Sequence, residues 1–76
     1  MLNRIDWATP TWMSLYLVFD AAVDGRQRSF AVHADLLVVA ADEPAPLTLQ
    51  RNIFRLRYRI EQAAREAPPA GMVYIA

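Results

Sequence analysis

The chain has 76 residues, no cysteine, one histidine and 55% hydrophobic residues, and its eight arginines balance eight carboxylates with no lysine present. That composition excludes a disulfide-stapled fold and leaves too few histidine and cysteine ligands for a structural zinc site. A domain this short and this apolar either packs its core very well or hides part of its surface against a partner.

Residues 1–11, M-L-N-R-I-D-W-A-T-P-T, show no stable period, and Pro10 biases Thr9 toward extended geometry. They read as an irregular arm carrying Trp7, placed as a lid over a core edge, with ligand stacking as the alternative. Residues 12–33 read as a β-hairpin. Its two strands are rich in aromatic and branched residues and flank Asp24-Gly25, a two-residue turn signal that needs positive φ. Pairing Val23 with Arg26 sets Phe19 opposite Phe30 and Leu17 opposite Val32. Leu15, Leu17, Phe19, Phe30 and Val32 then share one core face, which a one-residue slip would scatter. The opposite face pairs Tyr16 with His33, Val18 with Ala31 and Asp20 with Ser29. It is less polar than a solvent face usually is, which calls for a third layer or a partner.

Residues 34–41, A-D-L-L-V-V-A-A, fit a buried strand or a short buried helix, and the short helix is the reading adopted. Asp42 to Pro46 is a break, because two prolines cannot continue a helix interior. Residues 47–67 are the clearest element. Leu49, Ile53, Leu56, Ile60, Ala63 and Ala67 step by four, three, four, three and four, one stripe of a long α-helix. Its start is marked by Thr48 as N-cap or Pro46 at the first helical position, and its end by Pro68-Pro69-Ala70-Gly71. Residues 72–76, M-V-Y-I-A, alternate as a last strand, with Met72 and Tyr74 extending the apolar outer face begun by Tyr16 and Val18. The expected fold is α+β in the order β-β-α-α-β. It has a three-stranded sheet, made of the hairpin and the C-terminal strand, with a short and a long helix packed on one face.

The residue inventory argues against an enzyme. His33 reads as a cross-strand neighbour of Tyr16, carboxylates lack a ligand spacing, and Ser14 and Ser29 have no pattern that pairs them with a base. Two glycines in the whole chain rule out a phosphate-cradling loop. No catalytic residue, cofactor or metal is therefore expected. The first 46 residues hold three arginines against six acids, and the remaining 30 hold five against two, so the front is −3 and the back +3. The halves are expected to attract each other, within the fold or across a dimer, or else to offer a basic face to an acidic partner. The neutral total argues against general nucleic-acid binding. No stretch reads as a signal peptide, and the longest apolar run, Leu36 to Ala41, is too short to span a bilayer, so the expected location is the cytoplasm.

On the long helix, Arg51, Arg55 and Arg59 fall roughly opposite the core stripe, and Arg57, Glu61 and Arg65 form a ladder in which Glu61 can pair with both arginines. Phe54 and Tyr58 are four apart beside the basic row. Arginine with exposed aromatics is the composition of interface hot spots, which makes Arg51, Phe54, Arg55, Tyr58 and Arg59 the candidate partner-binding set. Solvated or internally paired arginines are the alternative. Tyr16, Val18, Met72 and Tyr74 are the candidate self-association set.

The segments V-F-D-A-A-V-D-G-R from Val18, R-I-E-Q-A-A-R from Arg59 to Arg65 and V-Y-I from Val73 to Ile75 together resemble the domain-of-unknown-function family 1488 of small bacterial proteins. The resemblance implies a compact α+β fold over nearly the whole chain from Leu15, in the order strand, D-G-R turn, short stretch, helix, strand. It implies no activity. The 34–46 stretch departs from that pattern, with L-L-V-V-A-A and a proline break where the family has a more polar short helix. The expected function is a non-enzymatic binding or interaction module with a protein partner, dimeric through its outer sheet face. A nucleic-acid-binding accessory protein and a phage or mobile-element inhibitor of a host complex are the alternatives.

Overall fold

A computed structural model describes the whole chain, Met1–Ala76. Four strands, β1 (Leu2–Met13), β2 (Tyr16–Val23), β3 (Arg26–His33) and β4 (Val73–Ile75), form one mixed sheet in the order β1-β2-β3-β4. The first three run antiparallel and β4 lies parallel to β3. The helix α1 (Ala45–Glu66) crosses one face, packed on β1, β2 and β4. The architecture is therefore α+β in two layers, with four strands where three were expected and one main helix where two were expected.

The hairpin register is the one its turn dictates: Val23 pairs with Arg26, Phe19 with Phe30 and Leu17 with Val32. Asp24 and Gly25 both adopt positive φ, +52° and +79°. Leu17, Phe19, Phe30 and Val32 are fully buried, and the two phenylalanine rings stack at 5.6 Å. Leu15 does not join them. It is 60% exposed, because β1 and β2 reverse through Ser14 and Leu15, with Ser14 at φ +57°.

The expected irregular arm is the edge strand β1. Its inward residues, Leu2, Ile5 and Trp12, are three and seven apart, so no period of two survives in the sequence. Two register shifts cause this, one between Leu2 and Arg4 and a larger one between Asp6 and Thr11. The larger is a bulge of residues 7–10 facing a single β2 residue. Thr9 Oγ1 locks it, donating to the Asp6 carbonyl at 2.7 Å and accepting from the Asp20 amide at 2.9 Å. Trp7 sits on this bulge and is 44% exposed, so it is no lid; Trp12 is the tryptophan that packs against the core. A bulge and a proline on an edge strand also obstruct further strand pairing.

The short helix expected at residues 34–41 reduces to a single 3₁₀ turn, Ala34–Leu36, capped by His33, whose Nδ1 accepts from the Asp35 amide at 3.0 Å. Leu37 is already extended, and Leu36 and Leu37 reach the core while Val38 and Val39 are half exposed. The alternative to helix is fixed by Asn52, which is fully buried on α1. Its Oδ1 accepts from the Val38 amide at 2.8 Å, and its Nδ2 donates to the carbonyls of Val38, at 2.8 Å, and Thr48, at 2.7 Å. The side-chain amide thus strands the 37–43 segment along the helix flank.

The helix starts at Ala45 with Pro44 as N-cap and Pro46 in its first turn. Thr48 is not the cap; it is fully buried, and its hydroxyl donates to Glu43 at 3.1 Å. Of the expected stripe, Leu49, Leu56 and Ile60 are buried, while Ile53, Ala63 and Ala67 pack partly against the core. The buried face is centred toward Thr48 and Asn52, which displaces Ile53 to its margin. Twenty-two helical residues measure about 33 Å, which matches the molecule's 34 Å long dimension. One whole side of the molecule is therefore helix. No helix is long and apolar enough to cross a membrane.

Candidate functional site

Two surfaces stand out, one on each layer. The first is the outer face of α1. Leu47, Arg51, Phe54 and Tyr58 recur at intervals of four, three and four, a stripe on the side turned away from the sheet. Phe54 is 91% exposed and Tyr58 69% exposed, with Leu47 half exposed one turn before Arg51. A helix that buries one face on a sheet ordinarily shows water charged and polar residues on the other. Here two aromatic rings stand where that rule puts hydrophilic side chains.

The arginines around them differ in freedom. Arg51 grips Glu43 with Nε at 3.3 and 3.2 Å and Nη2 at 2.6 Å. Those bonds, helped by Thr48, hold the Glu43 carboxyl below its usual range and raise the guanidinium of Arg51. Arg55 donates Nη2 to Asn52 Oδ1 at 2.8 Å, beside the strapped 37–43 segment. Arg59 turns to the sheet side and reaches the Ala76 carbonyl at 3.3 Å. The structure therefore gathers Arg51, Phe54, Arg55 and Tyr58 on one face and sets Arg59 at its margin.

The ladder expected along Arg57, Glu61 and Arg65 does not form. The strand β1 passes close enough that Glu61 Oε2 accepts from the Leu2 amide at 2.6 Å, with the N-terminal ammonium 3.8 Å away. Arg65 instead spans to the β2–β3 turn, with Nε and Nη2 at 2.9 and 3.1 Å from the Asp24 carboxylate, which also takes the N-terminal ammonium. The Arg65 bonds first, then the ammonium, hold the Asp24 carboxyl far below the ordinary range. Both Arg51–Glu43 and Arg65–Asp24 join the acidic front half to the basic back half, as the charge asymmetry anticipates.

The second surface is the outer face of the sheet, which no helix covers. Tyr16 meets His33 edge-on at 5.1 Å and Tyr74 edge-on at 5.6 Å. A shallow depression beside them is lined by Met13, Ser14, Tyr16, Val18, Ala31, Met72 and Tyr74. All four residues of the self-association set are thus on one face. Met13 and Ala31 complete it, and Met13 arrives there by pairing with Tyr16 across the β1–β2 turn. At the far end of the same face Asp20 accepts the Ser29 hydroxyl at 2.6 Å.

No three His, Asp or Glu side chains converge as a metal-binding group. Asn52 and Glu43 are site-shaping residues that the sequence does not single out, and Thr48, expected as an N-cap, is instead a buried partner of Glu43. An isolated Asn in a helix reads as surface, and only its place one residue from the Ile53 stripe position hints at burial. Comparison with known proteins returned no matching family model, no matching curated protein and no matching solved structure.

Proposed function

We propose that this chain is a non-enzymatic interaction module of the cytoplasm that grips a protein partner through the outer face of α1, with Phe54 and Tyr58 as anchors. The observation that carries the reading is the 91% exposure of Phe54, one turn from Tyr58 at 69%, on a helix whose other face is committed to the core. Large aromatics held on a regular helix lose little conformational entropy when they enter a pocket, and they dominate binding energy where they do. Arg55, bonded only to the neutral Asn52 side chain, lies beside the anchors and favours an acidic rim on the partner. Arg51 is already neutralised by Glu43 and the chain has zero net charge, which favours a protein surface over a nucleic-acid backbone. The resemblance to family 1488 adds no chemistry to this reading.

The test is affinity purification of the tagged chain from its native host, comparing wild type with Phe54→Ala/Tyr58→Ala and with Arg51→Ala/Arg55→Ala/Arg59→Ala. The expected result is a co-purifying protein that both variants lose while their circular dichroism stays wild-type. Retention of the same protein by the folded aromatic variant would remove the helix face from consideration. Capture of nucleic acid whose affinity falls steeply with salt would replace the protein partner with the alternative reading.

A further inference from the structure

We propose that the cleft between the β2–β3 turn and the end of α1 binds a small phosphate monoester, with Arg26 and Arg28 holding the phosphate. The proposal is independent of what the helix face binds. It rests on a concave site, on the charges in it that have no partner, and on the way one guanidinium is fixed.

Alternate residues of a strand share a face. On β3 that series runs Arg26, Arg28, Phe30 and Val32, and the last two are fully buried in the core. The two arginines therefore lie on the core-facing side of the sheet, at the end where α1 stops at Glu66. Charged residues ordinarily take the solvent face of a sheet, so this placement asks for a reason. Beyond the helix the sheet opens into a cleft of about 310 Å³, walled by Asp24 of the turn, Ala64 and Arg65 of the helix and Pro69 past its end. That volume lies at the small end of those that hold small ligands.

Three arginines line this cleft with a single carboxylate, Asp24. Asp24 and Glu61 together balance Arg65 and the N-terminal ammonium. Arg26 is exposed and pairs with no carboxylate. Arg28 donates Nη2 to the Pro68 carbonyl at 2.8 Å and the Gly71 carbonyl at 3.2 Å. Those carbonyls hold the guanidinium in place without neutralising it, and they leave Nε and Nη1 free to donate. Two positive charges thus stand uncompensated. The last turn of α1 offsets them by roughly half a charge, the negative end of its dipole. A phosphate monoester carries roughly −1.5 to −2 at neutral pH, with three strong acceptor oxygens, which matches what remains. A guanidinium fork meets phosphate oxygens in a bidentate fit, and one fixed beforehand loses little freedom in doing so. A nucleic-acid strand fits less well. The depression that continues from Arg28 along Ser29 and Met72 is bordered by Asp20, so the next backbone phosphate would meet a carboxylate.

The test is an amide NMR titration of the chain with phenyl phosphate at constant ionic strength. The expected result is saturable shifts at Arg26, Arg28 and Gly71, with a dissociation constant of ~1 mM or tighter. Arg26→Gln is expected to weaken binding at least ~10-fold. Arg26 is exposed and unpaired, so this variant keeps the fold. Arg28→Gln is expected to weaken binding as much, but it also releases the Pro68 and Gly71 carbonyls, so Arg26→Gln is the deciding variant. Arg57→Gln, an exposed arginine outside the cleft, is expected to leave the affinity unchanged within about twofold. No saturable shift up to ~50 mM would overturn the proposal. So would full affinity in folded Arg26→Gln, or an equal loss in Arg57→Gln, which would reduce the effect to general attraction by surface arginines. Tighter, steeply salt-dependent binding of an oligonucleotide without terminal phosphates, lost in Arg26→Gln, would overturn it in favour of a nucleic-acid backbone.

Discussion

Phe54 and Ile60 stand six residues apart on one helix and have opposite energetic roles. Ile60 is fully buried and Phe54 is 91% exposed. Ile60→Ala is expected to cost about 2–5 kcal/mol, the transfer term plus the cavity left behind. Phe54→Ala is expected to change stability by no more than about 0.5 kcal/mol, because a solvated ring contributes little to folding. Urea unfolding of the two variants measures both, and a large loss at Phe54 would mean that the ring packs within its own chain. Asp24 shows a different residue-scale effect. Its folded carboxyl is depressed by Arg65 and the N-terminal ammonium from an ordinary value of 3.8. As pH falls below that value the unfolded chain takes up a proton first, so the unfolded state is favoured and stability declines toward lower pH. The contribution is fully present above about pH 5 and fades through the acid range. Asp24→Asn keeps a side chain suited to the left-handed turn position and removes the charge. The variant is expected to melt with a shallower loss between about pH 4 and pH 2 than wild type. A residual slope remains from Glu43, whose carboxyl is depressed in the same direction by Arg51. An unchanged acid limb in Asp24→Asn would show that the Arg65 bridge does not persist in solution.

Among the elements, the 37–43 segment depends on one side chain. Asn52 is buried and makes four hydrogen bonds, three to backbone groups of Val38 and Thr48 and one from Arg55. Asn52→Leu keeps the branched outline of the side chain, though it is bulkier, and leaves the part-buried Val38 amide and carbonyl without partners, at about 1–3 kcal/mol for each group. The expected outcome is a loss of about 2–4 kcal/mol together with faster hydrogen exchange at the Val38 amide, while β2 and β3 amides keep their relative order. Unchanged Val38 exchange would show that the segment is held without Asn52, by Leu36 and Leu37 and by the bonds of Glu43 to Thr48 and Arg51. This device also explains what could be read in advance. The hairpin and α1 follow local rules, a turn dipeptide and a 3.6-residue period, so Phe19 opposite Phe30 and Ile60 in the core were legible. The strand β1 was not, because a bulge erases its alternation and its pairing is imposed by β2. The 34–41 run was not, because a polar side chain fourteen residues away decides its conformation. The outer faces were legible in composition, with Tyr16, Val18, Met72 and Tyr74 on one and Phe54 and Tyr58 on the other. Ala31 was legible there too, opposite Val18, whereas Met13 joined only through its pairing with Tyr16. The ion pairs of Arg65 and Glu61 were misjudged because helix spacing names neighbours on the helix, whereas the β2–β3 turn and β1 offered closer partners.

At the scale of the whole molecule, each of the two layers presents one uncovered surface with exposed aromatic residues, Phe54 and Tyr58 on the helix and Tyr74 on the sheet. If the sheet face carries the expected self-association and the helix face the proposed partner site, a sheet-to-sheet dimer points its two helix faces in opposite directions. With one helix spanning the 34 Å length of each protomer, the two sites lie on opposite surfaces of that dimer and cannot grip one small partner together. Such a dimer would bind two partner molecules, one per helix, with no cooperation between them beyond a shared scaffold. The expected stoichiometry of the complex is 2:2, falling to 1:1 in Tyr74→Glu with the dissociation constant per site unchanged within about twofold, since sites far apart with no shared contacts are additive. Light scattering gives the stoichiometry and titration calorimetry the per-site affinity. A partner bound across both copies at 2:1, or a per-site affinity that collapses in Tyr74→Glu, would show that the binding site is built at the dimer interface. On a multivalent partner or a surface displaying many copies, the same geometry raises apparent affinity by linkage alone, and the monomeric variant would lose that gain and nothing else.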